Sequence, residues 1–341
     1  MKRRLAAIVL VLLAGAAACC AADFPNDPYY GPYEWYGPLL GLPQAWQYSL
    51  GSPAVTVAVL DTGVIATLPD LGGRVLAPLS ATGGPPLDGT AKRHGTWVAS
   101  VAAMGVNNGI GGAGVGNFSI LPITVTDFYG NSQSEWFAAG IRMAADQGAR
   151  VINVSQGVLS YSLLEAAAAD ARQKGALVFV AAGNDNVENR MSGYEHLIFV
   201  SGTDADDQRW YDPQTGKGST WGPFVDLAAP ASRIVVADPT FTSGYGLGSG
   251  TSYAVPLAAG AAALAWSINP LLTPDEVYAI LKETAVDLGD PGWDEDFGWG
   301  RIDIGAVAER ASQMAGAPEP ATLALVALGG MGLLRMRRRA I

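Results

Sequence analysis

The chain has 341 residues, 49% of them hydrophobic, and its 31 acidic residues outnumber 21 basic ones, giving a formal net charge of −10. An acidic surface repels phosphate backbones, so the composition argues against a nucleic-acid-binding protein. Two cysteines, Cys19 and Cys20, are too few for a disulfide-rich scaffold.

The N-terminus predicts an export signal. Three basic residues at 2–4 precede the apolar run 5–18, which is too short to span a bilayer comfortably. We expect a signal peptidase to cleave after Ala22, which removes both cysteines and leaves a mature chain without a disulfide. The alternative is a lipoprotein signal anchored at Cys19. It is disfavoured because Ala16 stands where such signals usually carry leucine.

Apolar strands alternate with helical runs along most of the remaining chain. The strand-like runs are 56–61, 119–125, 150–155, 176–183, 197–202 and 224–230. The helical runs begin near His94, Gln133, Ser162, Ser252 and Thr273. Alternation of this kind, with continuously apolar strands, predicts an α/β fold in which a mainly parallel central sheet carries helices on both faces.

Asp61 is the first candidate site residue. It ends the apolar run TVAVLD and is followed by Thr62 and Gly63. The carboxyl ends of strands are where open α/β sheets build their binding and catalytic sites. A carboxylate at this point is therefore in a suitable place for chemistry.

The chain has only two histidines, His94 and His196. His94 lies where a polar, glycine-bearing loop runs into a predicted helix. His196 precedes an apolar strand, which is typical of an ordinary strand-edge histidine. We therefore take His94 as the candidate general base.

Ser252 lies at the N-terminus of a predicted helix, where the glycine-rich stretch 246–250 is followed by an alanine-rich run. Serine often caps a helix N-terminus, and this plain capping role is one interpretation. Gly248 and Gly250 allow a sharp turn and a close approach that a cap does not need. Pro256 is expected inside the first turn or so, which lets the helix begin at the serine.

The C-terminus has a pattern of its own. After Gln313 the chain carries Pro-Glu-Pro at 318–320, an apolar run at 321–334 and a cluster of arginines behind it. The apolar run is short for a spanning helix. The pattern resembles a PEP-CTERM sorting tail, which implies cleavage by an exosortase-like membrane transpeptidase, with the arginines on the cytoplasmic side. A plain C-terminal membrane anchor is the alternative.

Four segments, VAVLDTGV, HGTWVAS, VAAGN and GTSYAVP, resemble the aspartate, histidine, oxyanion-asparagine and serine motifs of subtilisin-like serine proteases. The order Asp, His, Ser is that of subtilisin. The opening NDPYYGPYEWYGPLLGLPQAW is most similar to thermitase-type members. The resemblance implies a subtilisin-like three-layer fold with a catalytic domain at 23–312, whose arm is 23–53. A signal peptide at 1–22 precedes the domain, and a linker and sorting tail at 313–341 follow it.

The resemblance also implies an activity, that of an exported serine endopeptidase. Ser252 would be the nucleophile, His94 the general base and then acid, and Asp61 the residue that orients the imidazole. Asn184 would donate to the oxyanion, although a simple turn asparagine after Gly183 is the plain alternative. The competing hypothesis for the whole chain is a catalytically silent surface module that keeps the fold and binds peptides.

Substrate contacts are implied by further matches. Ser155, Gln156 and Gly157 match the strand that pairs with an extended substrate, and Asp185 lies near the rim of the specificity pocket. Tyr253 stands beside the nucleophile, where close relatives often carry methionine. We expect polypeptide substrates, the two processing enzymes named above as partners, no nucleic acid, and a monomer that is secreted or held at the cell envelope.

The likeness to thermitase-type enzymes finally implies a structural calcium ion. Its ligands would be the side chains of Asp27, Asp70 and Asn108 with the carbonyl oxygens of Gly105, Ile110 and Gly112. Carboxylates and neutral oxygens form the hard-oxygen shell that calcium accepts. The alternative is that both aspartates are solvated surface acids and that the asparagines only form turns.

Overall fold

The computed structural model describes residues 24–157 and 160–316. Its central feature is a seven-stranded parallel sheet with the order β2-β3-β1-β4-β5-β6-β7. The strands are Thr56–Asp61 (β1), Leu79–Ser80 (β2), Ser119–Thr124 (β3), Val151–Val154 (β4), Leu177–Ala181 (β5), Leu197–Thr203 (β6) and Leu227–Pro230 (β7). Ile234–Ala237 (β8) and Tyr245–Gly248 (β9) form a separate antiparallel hairpin.

Helices connect the strands and cover the sheet. Three short ones lie in the N-terminal arm, Tyr30–Tyr33 (α1), Tyr36–Leu39 (α2) and Leu42–Ala45 (α3). The longer ones are His94–Ala103 (α4), Ser134–Asp146 (α5), Tyr161–Gln173 (α6), Thr251–Ile268 (α7), Pro274–Glu283 (α8) and Ile304–Met314 (α9). A 3₁₀ turn, Pro69–Leu71, follows β1.

Two hydrophobic cores, one on each face of the sheet, account for the three layers. Along β1 the side chains of Val57 and Val59 enter the core that contains α4, α7 and α9. Ala58 and Leu60 enter the core beneath α5 and α6. Successive side chains of a strand point to opposite faces, so a strand buried on both faces is apolar throughout. This arrangement confirms the predicted α/β fold class with helices on both faces.

Helix α7 runs through the larger core. It is long and apolar enough to cross a membrane by length and composition, yet 89% of it is buried inside the protein. Its apolar character therefore reflects a core position.

The predicted strands and helices are present, with boundaries that differ by a few residues. Only the last four residues of the run predicted at 224–230 are in a strand. Just before it, the Asp226 carboxylate accepts from the Phe199 backbone N–H and from the Tyr278 hydroxyl. The β8–β9 hairpin and α9 were not predicted. Residues 245–248, which overlap the glycine-rich stretch before Ser252, pair with β8.

Pro256 lies deeper in the helix than predicted. Helix α7 begins at Thr251 after the cap Gly250, so Pro256 occupies its second turn. An α-helical N–H donates to the carbonyl four residues earlier, and proline has no N–H. The carbonyl of Ser252 consequently lacks the donor that residue 256 would normally supply, and it accepts a hydrogen bond from the Ser155 hydroxyl at 2.9 Å.

The predicted signal peptide, 1–22, and the predicted sorting motif with its apolar run, 318–334, lie outside the described residues. Helix α9 ends at Met314, two residues beyond the domain boundary predicted at 312. The arm contacts the core through Trp35 and Trp46, whose indole N–H groups donate to the carbonyls of Ser232 and Val115.

Candidate active site

The candidate catalytic residues lie at one edge of the sheet, at the carboxyl ends of its central strands. Asp61 is the last residue of β1, Ser155 follows the adjacent strand β4, and Asn184 follows β5 after the turn at Gly183. His94 and Ser252 are placed at the same edge by the first turns of α4 and α7. Parallel strands and the helices that return to them bring these distant segments together.

Asp61 and His94 form a hydrogen-bonded pair. Oδ2 of Asp61 lies 2.8 Å from Nδ1 of His94, and the Asp61 carboxylate is completely buried. Oδ1 accepts from the Thr62 backbone N–H at 2.8 Å and from the Gln156 amide nitrogen at 2.9 Å. Three hydrogen-bond donors therefore fix the orientation of this buried carboxylate.

Gly95 permits the close approach of α4 to β1. A Cβ at this position would collide with the carbonyl oxygen of Gly63 and lie 2.9 Å from Cβ of Asp61. Any larger residue would therefore push His94 away from the carboxylate.

The environment of the His94 ring acts on its basicity in two opposite ways. Burial lowers the pKa of the imidazole, but the charge of Asp61 and its hydrogen bond outweigh this and raise the pKa above 6.5. The aromatic rings of Trp97 and Tyr253 flank it, with centroids 6.3 and 6.2 Å away. The imidazole is thus fixed by a carboxylate on one side and shielded by aromatic rings on others.

Ser252 is held at the start of α7 by reciprocal bonds with Ser155. Its hydroxyl donates to the Ser155 carbonyl at 2.9 Å, and the Ser155 hydroxyl donates to the Ser252 carbonyl. In the part of the chain that the structure describes, the Ser252 hydroxyl does not bond to His94. Asn153, fully buried, donates to the Ser155 hydroxyl at 2.8 Å and supports the arrangement from behind.

Asn184 is oriented by the residue before the serine. Its Oδ1 accepts from both the backbone N–H and the hydroxyl of Thr251, at 2.8 and 3.0 Å. No protein acceptor for its amide nitrogen occurs among the described residues. Gly250, with φ +138°, provides the turn that brings Thr251 to the amide. The side chain is thereby arranged as a donor.

The residues expected to bind substrate occupy different environments. Gly157 is open, since an added Cβ would meet no atom within 4 Å. The side chain of Gln156 turns inward to the Asp61 carboxylate, which its predicted place on a substrate-pairing strand did not suggest. Asp185 pairs through its backbone with Gly218, and its N–H donates to the Thr220 hydroxyl.

The aspartates expected to bind calcium are both buried and meet the same loop. Asp27 is 4% exposed and accepts from the backbone N–H groups of Asn107, Asn108 and Gly109. Asp70 is 1% exposed and accepts from the Asn108 amide nitrogen at 2.8 Å. Burial raises the pKa of Asp70 to about 6. Asn108 turns its nitrogen, not its oxygen, to Asp70.

A third buried acid, Glu34, lies against this loop and was missed from the sequence. It is 1% exposed, its Oε1 accepts from Ala113, and its Oε2 has no partner within the described chain. A Cβ on Gly112 would collide with Oε1. Burial raises the pKa of Glu34 well above its ordinary value, and the charges of Asp27 and Asp70 raise it further. Nothing in the sequence around Glu34 distinguishes it from a surface acid.

These buried acids bear on the calcium prediction in two ways. A cation near loop 105–112 would offset the desolvation of their carboxylates and could contact the unpartnered Oε2 of Glu34. Among the residues that the structure describes, however, no group of three or more His, Cys, Asp or Glu side chains is clustered closely enough to hold a metal ion. Any such ion would therefore depend on backbone and amide oxygens as well.

Comparisons with known proteins agree with this geometry. A model of the subtilase family matches residues 52–300. Thermitase from Thermoactinomyces vulgaris is 40% identical over 273 residues, 79% of this chain and 94% of thermitase. The halolysin-like extracellular serine protease Nep from Natrialba magadii is 34% identical over 293 residues, 82% of this chain and 52% of Nep. A solved structure of a protease from Pseudoalteromonas arctica gives a TM-score of 0.71 at 30% identity, covering 85% of this chain and all of that chain.

Proposed function

The chain belongs to the subtilase family and is a serine endopeptidase of the subtilisin type, and we propose that Asp61, His94 and Ser252 perform its chemistry. The observation that carries this assignment is the buried Asp61 carboxylate 2.8 Å from Nδ1 of His94. A bond at Nδ1 keeps the proton on that nitrogen and leaves Nε2 free to accept another. Ser252 is the nucleophile, held at the same sheet edge.

In the acylation step the Ser252 hydroxyl turns from the Ser155 carbonyl towards Nε2 of His94. Its proton passes to Nε2 while Oγ forms a bond with the carbonyl carbon of the substrate. The imidazolium then gives this proton to the leaving amine as the peptide bond breaks. Water attacks the resulting ester in the same way and releases the acid. Asp61 stabilises the imidazolium throughout and keeps its own charge.

The oxyanion is stabilised by two donors. One is the amide nitrogen of Asn184, which its bonds to Thr251 hold in place. The other is the backbone N–H of Ser252 at the start of α7, where helical N–H groups have no intrahelical acceptor. The partial positive charge of the helix N-terminus favours the same anion.

An extended polypeptide is the proposed substrate. The open backbone beside Gly157, continuing from Ser155, would pair with it as an added strand. Asp185 would lie near the first specificity pocket. We further propose export through the signal peptide at 1–22 and sorting of the tail at 313–341, with the mature enzyme acting as a monomer outside the cell or at its envelope. The extracellular description of Nep supports the proposed location.

We also propose one structural calcium ion. Asp27, Asp70 and Asn108 would hold it with the carbonyl oxygens of Gly105, Ile110 and Gly112. The ion would neutralise buried carboxylates and tie the N-terminal arm to the core. It would take no part in peptide hydrolysis.

The catalytic proposal is tested with a chromogenic peptide and four proteins: the wild type, Ser252→Ala, His94→Ala and the double variant. Because the two residues act as one unit, we expect each single variant to lose about as much activity as the double variant. His196→Ala is the matched control and should retain activity. Near-normal turnover by Ser252→Ala would overturn the assignment and leave a peptide-binding role for this cleft.

A further inference from the structure

Gln156 makes a contact that the reaction as described does not use. Residues Leu60 and Val154 are partners in the register of β1 and β4, so Asp61 and Ser155 follow side by side. Gln156 is one residue further on, and its side chain folds back over the end of β1. Its amide nitrogen lies 2.9 Å from Oδ1 of Asp61 and 3.0 Å from Nδ1 of His94.

The orientation of this amide follows from the chemistry of its neighbours. An ionised carboxylate can only accept hydrogen bonds, so the N–H₂ end of Gln156 must face Oδ1 of Asp61. Nδ1 of His94 likewise uses its proton to bond Oδ2. Two donors, the amide and the imidazole, thus share one carboxylate and lie 3.0 Å apart.

This sharing has two consequences for His94. A donor on Oδ1 draws negative charge away from Oδ2, which weakens the stabilisation that Asp61 gives to an imidazolium. The positive end of the amide dipole beside Nδ1 opposes the charge of the imidazolium directly. Both effects favour the neutral ring, the form that can accept the serine proton.

We propose that Gln156 is a positioning residue. Its amide fixes the Asp61 carboxylate against His94 and lowers the affinity of the imidazole for a second proton. The inference rests on the proposed catalytic roles of Asp61, His94 and Ser252. The Gln156 side chain then acts on the acid–base pair of Asp61 and His94, while the backbone at 155–157 pairs with the substrate.

Other charged or titratable groups near the His94 ring belong to separate elements. Tyr253 is on α7, and Asp238 follows β8 and bonds the Trp97 indole at 2.9 Å. Arg93 precedes His94 and pairs with Asp238 at 3.5 Å. A substitution at position 156 leaves all of these groups in place, so a change in the titration of His94 reports on the amide.

Two substitutions distinguish the effect of the amide hydrogen bond from the effect of side-chain size. Gln156→Leu removes every polar atom and keeps a similar size. Gln156→Glu keeps the shape but replaces the donor with an acid beside Asp61. Gln147→Leu, at an exposed position after α5, is the control for loss of an amide elsewhere. Gln156→Glu also keeps the inference testable if the leucine variant does not fold.

The first measurement is a titration of the imidazole signals by NMR in a Ser252→Ala background, which limits self-digestion. The chain has only two histidines, and His196, bonded to Glu165 at 2.7 Å, serves as the internal reference. We expect the His94 midpoint to rise by about 0.5 to 1 pH unit in Gln156→Leu and further in Gln156→Glu. His196 and the Gln147→Leu control should not change.

The second measurement is the pH dependence of kcat/KM with Ser252 intact. The acid limb should move to higher pH in both Gln156 variants by the same amount as the NMR midpoint. An unchanged or lower His94 midpoint overturns the inference, as does a loss of activity at all pH values with an unmoved acid limb. Failure of the catalytic assignment itself would be recognised separately, by activity that survives in Ser252→Ala.

Discussion

The structure makes the carbonyl of Ser252 dependent on the hydroxyl of Ser155, because Pro256 lacks the N–H that would otherwise bond it. Ser155→Ala removes this donor and also the acceptor for the buried amide of Asn153. A polar group left unsatisfied inside a protein costs about 1–3 kcal/mol. With two groups affected, we expect the free energy of unfolding to fall by about 2–6 kcal/mol.

The dependence on proline can be isolated with a double-mutant cycle. Pro256→Ala restores an N–H four residues after Ser252, so the carbonyl regains a helical partner. In that background Ser155→Ala should cost about 1 kcal/mol less, since only the Asn153 amide still loses its partner. The two sites would therefore be coupled through one carbonyl oxygen.

Denaturant unfolding of all four proteins measures this coupling, in a Ser252→Ala background that keeps the main-chain carbonyl while limiting self-digestion. Each kcal/mol should also lower Tm by about 2–4 °C, the shift typical of domains of about 150–250 residues. The reasoning would be refuted if Ser155→Ala had the same cost with proline and with alanine at position 256. Additivity to within about 0.5 kcal/mol is the expected behaviour of independent sites.

Three further predictions concern activity and stability. Because Asp61 raises the pKa of His94 above 6.5 and only the neutral ring accepts the serine proton, kcat/KM should rise with pH through a midpoint above 6.5; a midpoint below it would contradict the assignment. Tyr253 cannot form a sulfoxide, so the enzyme should keep most of its activity in dilute peroxide while Tyr253→Met loses it, and equal inactivation of both would refute this. Chelation should lower Tm, and calcium at a hundredfold excess over Kd should restore about 2.7 kcal/mol of stability in the wild type and in the exposed-acid control Asp206→Ala, but much less in Asp70→Ala. An unchanged Tm with excess chelator would remove the calcium proposal.

Periodicity was sufficient to predict the central sheet and its covering helices, because strands buried on both faces must be continuously apolar. It was not sufficient for the β8–β9 hairpin, whose second strand YGLG has two glycines and little apolar character. The fold of such a segment is decided by its partner strand and by packing against α4, neither of which is local information. Tertiary context overrides weak local preference there.

In the candidate site, too, some residues could be predicted from local sequence patterns and others depend on tertiary contacts. Asp61, His94 and Ser252 could be selected because each follows or begins a strongly patterned element and because motifs with known order surround them. Gln156 was placed only by its neighbours on the chain, which say nothing about the direction of a side chain after a strand ends. Glu34 was missed for a related reason, since it is buried against Gly112 and Ala113, more than seventy residues away.

Ser252, activated by the His94–Asp61 pair, is the proposed nucleophile of this serine endopeptidase. The most direct measurement treats the enzyme with a fluorophosphonate, a reagent that reacts with activated serines, and locates the adduct by mass spectrometry of its peptides. We expect one adduct per chain, on Ser252, formed in parallel with the loss of peptide hydrolysis and greatly slowed in His94→Ala. Complete inactivation with Ser252 unmodified, or with the adduct on another residue, would contradict it.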